Sequence, residues 1–114
     1  MIKPALIEAP TVQPVSLAEV KDHLRIEHDD DDAIINALIA AATTHLDGYG
    51  GILGRCIMQQ KWKVSADRFC SRRIDLPFEN NSAVIVKYFD NAAQEQTVAA
   101  TDYEVLTDTL GSYV

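Results

Sequence analysis

Residues 15–49, VSLAEVKDHLRIEHDDDDAIINALIAAATTHLDGY, decide the fold class, because they read as two helices joined by an acidic turn. Ser16-Leu17-Ala18-Glu19 has the form of a capping box, in which the Ser16 hydroxyl accepts from the Glu19 amide and the Glu19 carboxylate accepts from the Ser16 amide. Val15 and Val20 stand where a hydrophobic staple closes the turn. Leu17, Val20 and Leu24 then fall on one helical face, so a short amphipathic helix is expected from Leu17 to about Arg25. A second helix is expected from Asp31 or Asp32 to about Tyr49, with Ile35, Leu38, Ile39, Ala42, Leu46 and Tyr49 as its apolar stripe. Its interior is rich in alanine, the best helix former, and Gly48, Gly50 and Gly51 end it. The alanines let a neighbour approach closely, which marks this helix as the central one.

Downstream of Ile57 the hydrophobic period changes to two. Trp62, Val64 and Ala66 alternate with Lys61, Lys63 and Ser65, the pattern of a strand with Trp62 toward the core and the lysines toward water. Ile74 and Leu76 alternate with Arg73 and Asp75 until Pro77. Ala83–Phe89 is apolar at both parities and reads as a central strand, and Asp90–Ala93 as a turn. Gln94–Ala99 and Asp102–Leu106 follow as short strands, Thr107–Ser112 as another turn, and Tyr113-Val114 as the beginning of a new strand.

The 114 residues suit one domain, and 47% hydrophobic with 24% charged residues is the balance of a chain that builds a core. The net charge of -7 is unevenly placed. Residues 1–54 carry nine acids against three bases, residues 55–75 carry six bases against two acids, and residues 76–114 carry one lysine against six acids. An acidic chain of this kind is disfavoured on DNA or anionic lipid unless it offers a local basic patch. The longest apolar run, Ala37–Ala42, is far short of the roughly 20 residues that span a bilayer, and Pro4 and Glu8 interrupt the region where a signal peptide is apolar. Cys56 and Cys70 read as reduced thiols, which points to an intracellular compartment.

Four groupings carry possible chemistry. His28-Asp29-Asp30-Asp31-Asp32 has the carboxylate density of a Mg²⁺ or Ca²⁺ site but lacks the glycine and glutamate spacing of an EF-hand, so one aspartate is expected to cap the second helix while its neighbours favour the positive end of the dipole. Cys56 or Cys70 with His23, His28 or His45 would be the parts of a nucleophilic centre, yet no motif fixes their geometry. The glycines from Gly48 to Gly54 follow a helix and lead into a strand, the reverse of a phosphate loop, and read as a helix stop and chain reversal. The basic segment with Trp62 and Phe69 has the composition of an oligonucleotide surface, but the parity of Trp62 turns its ring inward. Basic residues without exposed rings suit an acidic protein surface, and this chain carries such surfaces itself. Charge-complementary self-association is therefore expected, with Lys61, Lys63, Arg68, Arg72 and Arg73 meeting Asp29, Asp30, Asp31 and Asp32 of a neighbour.

The order of these pieces resembles the head-tail connector (adaptor) family of tailed phages, prophages and gene transfer agents. The resemblance rests on Val15–Ile26, His28–Asp32, Ile34–Ala42, Leu46–Cys56, Gln60-Lys61-Trp62, Ile74–Pro77, Val84–Asp90 and Thr101–Val105, and it covers most of residues 15–106. It implies an α+β fold with two amino-terminal helices packed on a small, mainly antiparallel sheet. It also implies a structural virion protein at the head-tail junction, assembled in the host cytoplasm, without catalytic residues, metal or cofactor. Its partners would be identical subunits in a ring, usually twelvefold, the portal protein, and a tail-completion or stopper protein, with DNA passing through the channel unbound and no membrane involved. Family members continue through another strand and a carboxy-terminal helix that packs on the helical layer and contributes to portal attachment. Residues 1–114 lack it and are expected to be a carboxy-terminally incomplete connector-like domain. Two competing readings are a small metal-dependent enzyme built on Asp29–Asp32 and a nucleic-acid-binding module built on residues 55–73.

Overall fold

Two helices and six short strands make up the computed structural model, which describes residues 3–69 and 72–114. In chain order these are β1 (Lys3–Glu8), α1 (Leu17–Leu24), α2 (Asp32–Leu46), β2 (Lys61–Ser65), β3 (Lys87–Phe89), β4 (Glu95–Thr97), β5 (Leu106–Asp108) and β6 (Gly111–Tyr113). The fold is thus mixed α and β. Where a single sheet is expected, the strands form three two-stranded ribbons, β1 with β2, β3 with β4 and β5 with β6. Contacts separate the described chain into two units, Lys3–Lys63 and Val64–Val114.

In the first unit, α1 starts as its sequence dictates. The Ser16 amide donates to Glu19 Oε2 at 2.7 Å and the Glu19 amide to Ser16 Oγ at 3.1 Å, which closes the capping box. Arg25 ends the helix in the left-handed conformation, φ 57°, and its amide returns to the carbonyls of Lys21 and Asp22. α2 starts at Asp32, as expected, but its cap and its end differ from expectation. Asp31 occupies the cap position without a side-chain cap hydrogen bond, so the expected aspartate cap is absent there. The helix stops at Leu46, three residues early, because Asp47 turns extended and sends its carboxylate to residues that lie ten and thirteen positions on. Tyr49 consequently leaves the helical stripe and is exposed. Ile35 and Ile39 form the buried side of α2, packed toward α1. Leu38, on the same apolar stripe, remains 63% exposed.

β2 follows its predicted parity, with Trp62 and Val64 half-buried and Lys61, Lys63 and Ser65 exposed. Its partner β1 was not expected as a strand, since its apolar residues Leu6 and Ile7 are adjacent and give no alternation, and its hydrogen-bonding partner lies more than fifty residues away.

The second unit is built on antiparallel pairs. β3 and β4 pair Lys87 with Thr97 and Phe89 with Glu95, and Val98 N donates to the Val86 carbonyl at 2.9 Å. The tip is held by Asp90, whose Oδ1 accepts from the amides of Ala92 and Gln94 at 2.9 Å each while Oδ2 accepts from Gln96. The expected central strand Ala83–Phe89 is corrected here, since the regular strand covers only Lys87–Phe89 and all three of its residues are exposed. With no third strand beside it among the described residues, its second apolar face stays in water, and Ile85 and Phe89 are each 70% exposed. The strand expected at Asp102–Leu106 begins only at Leu106, after Tyr103 has used its hydroxyl to bond the Val84 carbonyl at 2.8 Å. Thr107–Ser112, expected as a turn, instead contains most of the β5–β6 hairpin. Tyr113 ends β6, where the beginning of a new strand is expected. Ile74 and Val114 exchange backbone hydrogen bonds of 2.7 and 3.0 Å, and Leu76 N donates to the Ser112 carbonyl at 2.8 Å. Ser112, 3% exposed, is satisfied by a 2.9 Å hydrogen bond with Thr107 Oγ1.

The capping box closes α1 by a local contact, so Ser16→Ala should lower unfolding free energy by about 1 kcal/mol in urea titration. Four carboxyls are held below their ordinary pKa by donors: Glu19 by the Ser16 amide and hydroxyl, Asp29 by Lys21, Asp90 by the Gln94 amide and Gln96, and Asp108 by the Leu110 amide ahead of Arg73. The unfolded chain therefore binds more protons in acid, and the stability from these groups is complete above the ordinary carboxylate range and declines as pH falls through the lowered folded values. The urea midpoint should fall steadily below about pH 4 and be nearly flat between about pH 5 and 7.

Candidate functional site

The carboxylates of the α1–α2 turn divide into two pairs. Lys21 Nζ lies 2.6 Å from Asp29 Oδ1 and 2.9 Å from Asp32 Oδ1, and its side chain is only 14% exposed. The hydrogen bonds to both aspartates raise the Lys21 pKa, while Lys21 lowers that of Asp29. An ammonium thus stands where these two carboxylates converge. Asp30 and Asp31 point elsewhere, each with one oxygen 4.0 Å from a ring nitrogen of the exposed His28. Among the described residues no group of three or more histidine, cysteine or acidic side chains is placed to hold a metal.

The basic residues divide in the same way. Lys61 is paired with Glu8 across the β1–β2 ribbon at 2.6 Å. In the other unit Arg73 reaches Asp75 at 2.6 Å and Asp108 at 3.1 Å while its guanidinium lies 3.9 Å from the centre of the Tyr113 ring. Lys63, Arg68 and Arg72 are exposed and form no ion pair among the described residues. The segment between Phe69 and Arg72, with Cys70, lies outside the described residues. Phe69 is exposed, whereas Trp62, the other ring of the expected oligonucleotide surface, is half-buried.

Sequence reasoning did not anticipate the polar relay at the end of α2. Asp47 Oδ1 accepts the Ile57 amide at 2.7 Å, Asp47 Oδ2 accepts from Gln60 Nε2 at 2.8 Å, and Gln60 Oε1 accepts the Trp62 indole N–H at 2.9 Å. The relay fastens the helix end, the glycine loop and β2 together. Gly48 has φ +76°, and a Cβ there would sit 3.2 Å from the Trp62 ring; a Cβ at Gly51 would collide with the carbonyls of Leu46 and Asp47. The loop between Gly48 and Arg55 is therefore a built reversal, closed by Gly48 N to the Arg55 carbonyl at 3.0 Å, and not a phosphate cradle. Cys56 lies beside this relay. Burial, and after it the charge of Asp47, push its thiol pKa up against a smaller opposing contact from Trp62, which disfavours the nucleophilic thiolate.

A second unanticipated feature is an apolar groove of about 410 Å³ between α1 and α2. Val15, Val20, Leu24, Ile35, Leu38 and Leu46 are among its lining residues. The Val15–Val20 staple positions are thus part of a wall and not only a turn lock. The signal for this groove was present in the width of the α2 stripe, which exceeds what a helix of eight residues covers.

The arrangement offers three surfaces: a wet basic strand face, two aspartates on a turn whose neighbour is His28, and an apolar groove. A family model for the phage gp6-like head-tail connector protein matches residues 14–109, a span that contains both helices and four of the six strands, β2 to β5. The chain belongs to that family. Connectors of this family are structural and not catalytic. No curated protein and no solved structure matches the chain. No helix among the described residues is long and apolar enough to cross a membrane.

Two substitutions probe the relay of this connector. Trp62→Ala should cost about 3 kcal/mol, the lower end of the range for large aromatics because the ring keeps some exposure, and Asp47→Ala about 1–3 kcal/mol through its orphaned donors. Measured by urea unfolding, the double variant should lose less than the sum of the two, because both act on one network.

Proposed function

We propose that this chain is a subunit of a ring seated between the portal and the tail of a tailed phage, most simply twelvefold, with DNA passing through its channel. The observation that carries the reading is the family match over residues 14–109. The physical chemistry agrees with it. A net charge of -7 suits a passage that must let phosphates slide without holding them. In this role the protein resides in the virion at the head-tail junction, after assembly in the host cytoplasm, and its partners are identical subunits, the portal protein and a tail-completion or stopper protein.

Neighbouring subunits meet through complementary charge. Of the nine residues expected to make that contact, Asp29 and Asp32 are occupied by Lys21, Lys61 by Glu8, and Arg73 by Asp75 and Asp108. A second cation adds little to a carboxylate already hydrogen-bonded to one, and separating an existing pair offsets what a new pair contributes. Asp30, Asp31, Lys63, Arg68 and Arg72 lack a lysine- or arginine-carboxylate pair among the described residues, so they are the charges available to a neighbour. The lateral contact is therefore assigned to Asp30 and Asp31 of one subunit and to Lys63, Arg68 and Arg72 of the next.

Electron microscopy of the protein mixed with its portal should show a coaxial ring; absence of any ring with the unsubstituted protein would overturn the connector reading. The triple reversal Lys63→Glu, Arg68→Glu and Arg72→Glu should weaken subunit association at least tenfold, which corresponds to about 1.4 kcal/mol and is within the reach of three surface pairs at roughly 0.2–1 kcal/mol each. Adding Asp30→Lys and Asp31→Lys should restore part of the loss. Unchanged ring formation by the triple variant would sink the assignment of the contact while leaving the family role intact.

A further inference from the structure

We draw no further inference here: the strongest candidate, the apolar groove between α1 and α2 lined by Val15, Val20, Leu24, Ile35, Leu38 and Leu46, is an open face, and nothing in the structure shows what covers it.

Discussion

The carboxylate of Asp47 is the point on which the amino-terminal unit turns. One side chain takes the Ile57 amide with one oxygen and Gln60 with the other, and Gln60 passes the constraint on to the Trp62 indole. That pairing ends α2, sets where the glycine loop must reverse, and holds β2 in the position that receives β1. The two glycines with least freedom of substitution, Gly48 and Gly51, serve the same closure, one by leaving room for the indole and the other for the helix-end carbonyls. A buried or half-buried polar chain of this kind is valuable only when each member is satisfied, and here every named donor and acceptor finds its partner.

Charge is organised by the same economy of partners. Lys21 binds two of the four consecutive aspartates, and Glu8 and the Asp75–Asp108 pair take two of the five bases singled out as contact residues. The remainder, Asp30, Asp31, Lys63, Arg68 and Arg72, forms no lysine- or arginine-carboxylate pair among the described residues. Acidic and basic segments along the chain therefore overstate the free charge, because folding pairs charges both within a segment, as in Lys21 with Asp29, and between segments, as in Lys61 with Glu8. In the apolar surface the balance is reversed. α2 has more hydrophobic face than α1 covers, and the β3–β4 ribbon has two faces in water, so the hydrophobic composition of the chain exceeds what its own described elements bury.

Much of this was legible in the residues. The capping box of α1 is a contact across three positions, and a helix start is decided at that range, so Ser16 and Glu19 announced it fully. The parity of β2 was equally plain, since alternation needs no knowledge of the partner strand. The end of α2 was not legible, because glycines at Gly48 and Gly50 permit a stop but only the donors at Ile57 and Gln60 draw Asp47 out of the helix. β3 was oversized for a related reason. A run apolar at both parities is the mark of a strand covered on both faces, and nothing within the run reports that covering strands are missing. Among the candidate residues, the pairing of Lys21 across the turn separated Asp29 and Asp32 from Asp30 and Asp31, a division that four identical neighbours in a row cannot display.

The sequence by itself determined the two helices, the face of β2 that meets water, the acidic balance of the chain, and the ordered set of short signatures that resembles the head-tail connector family. All of these depend on spacing within a few residues or on sums over the whole chain. The tertiary structure alone decided where α2 stops, that the strands pair as separate ribbons, that a groove opens between the helices, and which charges are paired within the chain. Several of those outcomes turn on partners eight to more than fifty residues apart, among them Lys21 with Asp29, Asp47 with Gln60 and β1 with β2, and are set by which groups the fold brings within hydrogen-bonding distance.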